Sequence, residues 1–420
     1  MSDGLRRVVI TGLGAITPVG NDVPSTWDAL LAGETGAGPI TIFEATEEYV
    51  TRIACEVKNF DPLAFLEKKE VRRYDRFAQF SVGAADEAMR DAGLAGPPEG
   101  VAPERFGVIF GSGIGGISTM EAQHDQLRER GPGRVSPFFI PMFIPDIAAG
   151  LISIRFGAKG PNYATVSACA SGAHAIGDAF RFIERGDADV MIAGGGEATI
   201  TPLAVAGFAS MKALSTRNDD PAAASRPFDA GRDGFVIGEG AGCVILEALE
   251  TAVARGANIV AEVAGYGVSA DAYHITMPAP EGEGAQYAMR MAMEDAGVTA
   301  KDVDYINAHG TSTQANDRNE TAAIKQVLGE SAYSVIVGST KSMTGHLLGA
   351  AGGVEAVVTA LVCKQGRIPP TINLTDPDPD CDLDYGKDGV VDRPVRVALS
   401  NSFGFGGHNA CLAIRAWVEE

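Results

Sequence analysis

The 420-residue sequence predicts an α/β protein made of two similar halves. Short β-branched runs alternate with Ala-rich helical segments, the pattern of βαβ units in largely parallel sheets. Two of those segments, 172–184 and 349–364, read as apolar on every side, which marks helices buried between layers. Each follows a strand-like run and a turn of small residues bearing a reactive side chain, so one arrangement occurs twice.

In chain order, Met1 to Arg7 run straight into a strand at 7–11 with no apolar leader or cleavage pattern, so a cytoplasmic location is expected. Helices at 25–32 and 75–92 precede a strand at 106–110. Gly111-Ser112-Gly113-Ile114-Gly115-Gly116 then matches GxGxxG. A dinucleotide site would also want a carboxylate ending a second strand about 20 residues on. That distance falls in Gly131-Pro132-Gly133-Arg134-Val135, so the glycines are read as close packing or the wall of an apolar pocket.

A strand-like run at 163–166 leads through Val166-Ser167-Ala168-Cys169-Ala170-Ser171-Gly172 into the helix 172–184, and strands follow at 189–193 and 241–246. The pattern changes around 249–259, giving expected halves 1–256 and 257–420. The second half offers helices at 284–296 and 316–328 and strands at 303–307 and 335–338. Two of its motifs are Asn307-Ala308-His309-Gly310-Thr311-Ser312-Thr313 and Lys341-Ser342-Met343-Thr344-Gly345-His346, the second entering the helix 349–364. Terminal strands at 395–400 and 410–415 flank a nine-residue loop, 401–409, read as longer and bulkier than a hairpin turn requires.

One cysteine and two histidines, each in a glycine-rich strand-to-helix turn, point to covalent thioester chemistry. A helix N-terminus at Cys169 favours a thiolate and is expected to lower its pKa. A lone buried cysteine is ordinarily a small hydrophobe, and a lone histidine a satisfied core residue; together the three motifs reverse that expectation. Lys341 and Glu355 are charges seldom buried unless paired. No HxxxH, CxxC or carboxylate cluster accompanies the histidines, so no metal is expected. The other five cysteines form no framework and are read as reduced core. A net charge of −20 argues against nucleic acid or an anionic membrane as partner, and no apolar run reaches membrane-spanning length.

Over essentially its whole length, from Val8-Val9-Ile10-Thr11-Gly12-Leu13-Gly14 onward, the chain resembles the elongating β-ketoacyl-[acyl carrier protein] synthases, type II above all. Further matching motifs are Ser210-Met211-Lys212-Ala213-Leu214-Ser215-Thr216-Arg217-Asn218, Arg226-Pro227-Phe228-Asp229 and Arg232-Asp233-Gly234-Phe235-Val236. The resemblance implies a thiolase-like fold, five αβαβα layers from two βαβ-type halves, and a homodimer. It implies Cys169 as acyl-accepting nucleophile, with its own N–H and that of Phe405 as oxyanion hole, and His309 and His346 acting on a malonyl thioester. Lys341 and Glu355 match an ion pair beside them. Thr276, Thr311 and Thr313 match pantetheine contacts, and Ile114 and Phe208 match the acyl pocket. Gly404, Phe405, Gly406 and Gly407 match a gating loop. Lys69, Arg72, Arg73 and Lys212 match the docking patch for an acidic acyl carrier protein (ACP). No cofactor is implied beyond the phosphopantetheine arm carrying the substrates. Gln314, Met277 and His408 depart from the usual proline, serine and threonine, which bears on fine specificity.

Four rivals are distinguishable. An initiating synthase would pair one histidine with an asparagine, whereas both positions here are histidine. A degradative thiolase would need a second cysteine as base, but Cys411 lies within an alternating strand. A non-catalytic partner subunit would lack the nucleophile. A polyketide condensing subunit shares the triad and differs only in its products.

Overall fold

The computed structural model describes residues 5–419; residues 1–4, the head of the segment read as leaderless, and residue 420 lie outside it. Ten strands join in one hydrogen-bonded ladder. The first five are β1 (Val8–Ile16), β2 (Phe106–Gly111), β3 (Asn162–Tyr163), β4 (Val190–Glu197) and β5 (Gly240–Ala248). The second five are β6 (Ala261–Ala270), β7 (Tyr305–Asn307), β8 (Ile336–Gly338), β9 (Val397–Gly404) and β10 (His408–Ala416). Their spatial order is β8-β7-β9-β10-β6-β1-β5-β4-β2-β3.

That order contains the duplication. From β1 outward, β5 and β4 follow antiparallel, then β2 and β3 parallel. From β6 outward, β10 and β9 follow antiparallel, then β7 and β8 parallel. Adding five to each strand number of the first set yields the second. Among the described residues, the strands of the two sets pair only where Val8, Val9 and Ile10 lie beside Val263, Glu262 and Ala261.

Seven helices matter for the site: α1 (Arg76–Asp91), α2 (Ile117–Arg130), α3 (Ile147–Phe156), α4 (Ser171–Glu184), α5 (Glu283–Asp295), α6 (Gln314–Leu328) and α7 (Ala351–Gln365). Helices α4 and α7 touch each other and strands of both sets, so they form the middle layer. Helix α1 covers the outer face of the first set and α5 that of the second, which completes five layers. Interlayer distances are short because glycines line the contact: a Cβ on Gly242 of β5 would sit 2.2 Å from the Val354 nitrogen of α7. One on Gly172 of α4 would sit 2.7 Å from the Gly353 nitrogen.

Four expectations are corrected. Helix α7 is buried from Ala351 through Cys363, but α4 is not apolar all round. Its Asp178 and Arg181 face outward, and Arg181 pairs with Asp295 at 2.8 Å and Glu184 at 2.6 Å. The strand β6 had no counterpart in the sequence reading. The segment 401–409 is no long loop: β9 and β10 pair from Val397–Arg415 through Gly404–His408, leaving a three-residue turn. Its left-handed Gly406 and Gly407, at φ 90° and 76°, make so tight a reversal possible. Finally, the helix expected from 349 starts at Ala351; a short turn, Leu348–Ala350, separates it from His346.

Candidate active site

The Cys169 region is built by a sharp reversal. Ala168 takes φ 51°, a left-handed conformation costly for a residue with a Cβ, and Cys169 lies in the single turn Ala168–Ala170 ahead of α4. The end of β9 presses on this turn: a Cβ on Gly404 would lie 2.5 Å from the Ser167 oxygen and 3.2 Å from the Cys169 nitrogen. Glycine there is a requirement of contact.

Cys169, His309 and His346 line one cavity of about 240 Å³. The imidazole centroids are 5.3 Å apart with ring planes at 86°. Phe235 stands edge-on to His346 at 5.2 Å and Phe403 tilts against His309 at 5.6 Å, so each ring is held by an aromatic neighbour. Burial, with the positive charge of Lys341 added, holds both histidines well below the usual imidazole range. Both are therefore neutral near pH 7, and neither Nδ1 has a hydrogen-bond partner among the described residues. A neutral imidazole carries one N–H to donate.

The thiol departs from expectation. Burial pushes Cys169 up to about 12, although Lys341 and the N–H groups of Phe405 and Cys169 act to lower it; the charge of Glu197 adds to the rise. Desolvation outweighs the helix N-terminus, so the resting group is the thiol. The same two backbone N–H groups converge on the sulfur.

Lys341 and Glu355 form an ion pair, 2% and 3% exposed. Burial raises the Glu355 carboxyl, and the ammonium beside it counters that rise. Neither side chain lines the cavity; Lys341 acts on both imidazoles and the thiol through its field.

Thr276, Thr311, Thr313 and Lys212 line the cavity, as do Gly404, Phe405 and Gly407. The Thr311 and Thr313 hydroxyls are 3.0 Å apart, and Thr313 caps α6. His274 organises the Thr276 segment by accepting the N–H groups of Thr276 and Met277, each at 3.1 Å, on Nδ1. Ile114 and Phe208 do not reach the cavity; they pack against the apolar cluster that contains Cys169. Lys69, Arg72 and Arg73 are also apart from it, exposed on the first half. Lys69 is paired with Glu67 at 2.8 Å, and Arg73 lies over the Phe138 ring at 4.5 Å.

Several functional neighbours escaped the sequence reading. Glu320 of α6 accepts the His309 and Gly310 N–H groups, both at 2.8 Å, and the Asn401 amide at 3.1 Å, so it fixes the His309 turn; burial raises it to about 7. The signal was a carboxylate among Thr321, Ala322 and Ala323. Asp271 ties the hairpin to the entrance, accepting from Asn409 at 2.7 Å while its N–H donates to the Gly407 carbonyl at 2.9 Å. Among the described residues no group of His, Cys, Asp and Glu is arranged to hold a metal, and no helix is long and apolar enough to cross a membrane.

A thiol, two neutral imidazoles and converging backbone donors in a thiolase-like frame define a thioester condensing enzyme. Family models for the β-ketoacyl synthase N-terminal and C-terminal domains match residues 5–252 and 260–375, and the chain belongs to the β-ketoacyl synthase family. It is 56% identical over 410 residues to 3-oxoacyl-[acyl-carrier-protein] synthase 2 of Staphylococcus aureus (strain COL), covering 98% of each chain. Identity to the enzyme of that name from Synechocystis is 55% over 412 residues, again 98% of each. A β-ketoacyl synthase from Burkholderia phymatum superposes with a TM-score of 0.92 at 37% identity, covering 98% of this chain and 100% of that one. A type II polyketide ketosynthase solved with its acyl-carrier protein reaches 0.91 at 37% identity, with the same coverage.

Proposed function

We propose that the chain is a 3-oxoacyl-ACP synthase of fatty acid elongation, joining an acyl group held on Cys169 to a two-carbon unit from malonyl-ACP. The observation that supports it most directly is the shared cavity of Cys169, His309 and His346. In the first step the acyl carbonyl moves from the carrier sulfur to Cys169, and the thiol proton leaves on the carrier thiol. Malonyl-ACP then loses CO2, and the two imidazole N–H groups donate to the enolate oxygen. The enolate carbon attacks the acyl-Cys169 carbonyl, whose oxyanion lies between the N–H groups of Cys169 and Phe405. Collapse releases 3-oxoacyl-ACP and a thiolate that takes up one proton. Covalent capture divides one hard displacement into two easier steps. The neutral state of both histidines favours donation to an enolate over permanent ion pairing with a carboxylate.

Thr276, Thr311 and Thr313 are assigned to the pantetheine arm, Ile114 and Phe208 to the acyl pocket, and Phe405 with its flanking glycines to the gate. The substrates arrive on that arm, and no other cofactor is assigned. We take residues 1–256 and 257–420 as the two halves and the cytoplasm as the compartment. A second copy of the chain is assigned to the free edge of β3. That strand is exposed, and Val166 and Ile154, 58% and 80% exposed, supply apolar surface nearby. Sedimentation of the purified chain tests this; a monomer at micromolar concentration refutes it.

Intact-protein mass spectrometry after incubation with acyl-ACP tests the function. A single acyl adduct on Cys169, absent from Cys169→Ser, is expected. His309→Ala and His346→Ala are expected to keep the adduct and lose condensation. Near wild-type condensation by either variant refutes the roles assigned to the two histidines.

A further inference from the structure

One buried carboxylate near the nucleophile has no part in that scheme. Glu197 ends β4, is fully buried, and has no cation as a partner among the described residues. Its Oε1 accepts from the Ser112 hydroxyl at 3.0 Å and the Ile114 N–H at 3.2 Å. Its Oε2 accepts from the Gly113 N–H at 2.7 Å and the Gly349 N–H at 3.0 Å. The first three donors belong to the turn after β2 that bears Ile114. The fourth lies three residues past His346, in the other half of the molecule. The fit is tight from both sides: a Cβ on Gly113 would be 2.8 Å from Oε2, and one on Gly349 2.6 Å. The glycine pattern at 111–116 thus finds a use beyond bare packing, since its amides converge on a carboxylate.

We propose that Glu197 is a positioning residue that registers the acyl-pocket turn at Ile114 against the His346 turn, and so sets the acyl group on Cys169 and the condensing histidine in one frame. The proposal rests on the condensing function proposed for the chain. Its physical basis is that a carboxylate has enough lone pairs for four donors, whereas a neutral substitute does not. Donors left facing nothing in a dry interior are costly, so the two turns hold each other only while the carboxylate is intact.

The arrangement carries a cost in reactivity. The charge of Glu197 adds to the rise of the Cys169 thiol, and Lys341 opposes it. All four hydrogen-bond partners of Glu197 are neutral amides or a hydroxyl, and burial raises the carboxyl itself to about 6. Geometry and charge therefore act in opposite directions on the two halves of the reaction, which separates this role from a structural one.

The test is Glu197→Gln, read for two rates in one preparation. In glutamine the NH2 replaces one acceptor oxygen and must face two of the four donors. Condensation of an acyl-ACP with malonyl-ACP is expected to fall at least about tenfold. Alkylation of Cys169 by iodoacetamide at pH 7.5 is expected to rise about three- to tenfold, since one pKa unit is tenfold in thiolate. Ser112→Ala, which keeps the charge, should slow condensation less and leave alkylation unchanged. If both rates fall together in Glu197→Gln, or neither moves, the proposal is overturned. If wild-type protein forms no acyl-Cys169 at all, the function fails and the proposal with it. Should Glu197→Gln not fold, Glu197→Asp, which keeps the charge but shortens the reach to the four donors, is read for the same two rates: slower condensation with unchanged alkylation is expected, and condensation at the wild-type rate overturns the proposal.

Discussion

Lys341→Met removes the cation from the ion pair and leaves Glu355 buried without a counter-charge. Both partners are nearly fully enclosed, and Glu355 Oε2 has no other hydrogen-bond partner among the described residues. Breaking a buried pair from one side typically costs about 3–5 kcal/mol. With unfolding entropy near ~2.1 cal/mol/K per residue, a chain of this length loses about 3–6 °C in Tm. Replacing both partners, as in Lys341→Met with Glu355→Leu, should restore most of that loss, because no uncompensated charge remains. The same substitution acts at the sulfur. Lys341 lowers the Cys169 thiol, so its removal lifts the thiol further and should slow iodoacetamide alkylation several-fold at pH 7.5. Thermal melts and alkylation rates of wild type, single and double variants make the complete experiment. If single and double variants melt alike, the loss comes from packing and not from an orphaned charge. If alkylation is unchanged in both, Lys341 does not reach the thiol.

Three further outcomes are expected. Gly404→Ala places a Cβ 2.5 Å from the Ser167 oxygen and should drive the Phe405 and Cys169 N–H groups apart. Loss of one such donor costs ~10²–10³ in rate, so single-turnover condensation above one-tenth of wild type, in a folded variant, counts against the oxyanion hole. His174, whose Nδ1 is 2.6 Å from the Ser167 hydroxyl, is held at about 4 chiefly by burial. The native state binds fewer protons than the unfolded one between pH 4 and 6.5, so the stability His174 provides is present above that window and lost as pH falls. Urea midpoints should show His174→Gln losing about 2–3 kcal/mol less than wild type between pH 7 and 4.5, at 1.36 kcal/mol per pKa unit; equal losses refute the assignment. Arg72 is exposed with no ion-pair partner among the described residues, while Lys69 is already paired with Glu67. Arg72→Glu should therefore raise KM for ACP-borne substrate several-fold more than Lys69→Glu does and leave free thioesters unaffected; equal effects on both substrates remove the docking role.

The parts legible in the sequence were those with a periodic or compositional mark. Most strands and five of the seven helices announced themselves by their apolar patterns, while α2, with only Ile117 and Thr119 buried, and α3 did not; Cys169, His309 and His346 stood out as reactive residues in glycine-rich turns. Strand β6 hid because its Gly265 and Gly267 look like turn residues. They are there because α5 lies so close that a Cβ would come within 2.3 Å and 1.9 Å of the Ala292 and Ala288 carbonyls. The hairpin at 404–408 was misjudged for a related reason: its small and aromatic residues pair in a ladder that no local pattern reveals. The thiol's direction of shift also lay beyond reach. A helix N-terminus is visible in a sequence, whereas the dryness that outweighs it is set by Leu348, Ile200 and Phe235, which come from distant segments. Glu197 left no mark and Glu320 only a faint one for the same reason, since a carboxylate whose partners are amides and a hydroxyl has no counter-charge to betray it.

The repeat of five strands also explains where the chemistry sits. Strands β4 and β9 occupy equivalent places in the two sets, and α4 and α7 are the equivalent central helices. Each of those strands ends against the entry to the other half's central helix. Glu197 at the end of β4 accepts from Gly349 ahead of α7, and Gly404 at the end of β9 presses on the Ser167–Cys169 turn ahead of α4. The two contacts are reciprocal but chemically unlike: a charge-assisted anchor on the histidine side, a bare glycine on the cysteine side. The difference follows from what each entry must do. On the proposed mechanism the His346 turn has to be fixed, and a carboxylate gathering four donors suits that task. The Cys169 turn would have to keep its own N–H open to a developing oxyanion, and only a residue without a side chain can approach that closely and leave the N–H free. The repeat thus presents two equivalent corners, and the unlike residues at the ends of β4 and β9 suit one to be a brace and the other a binding site.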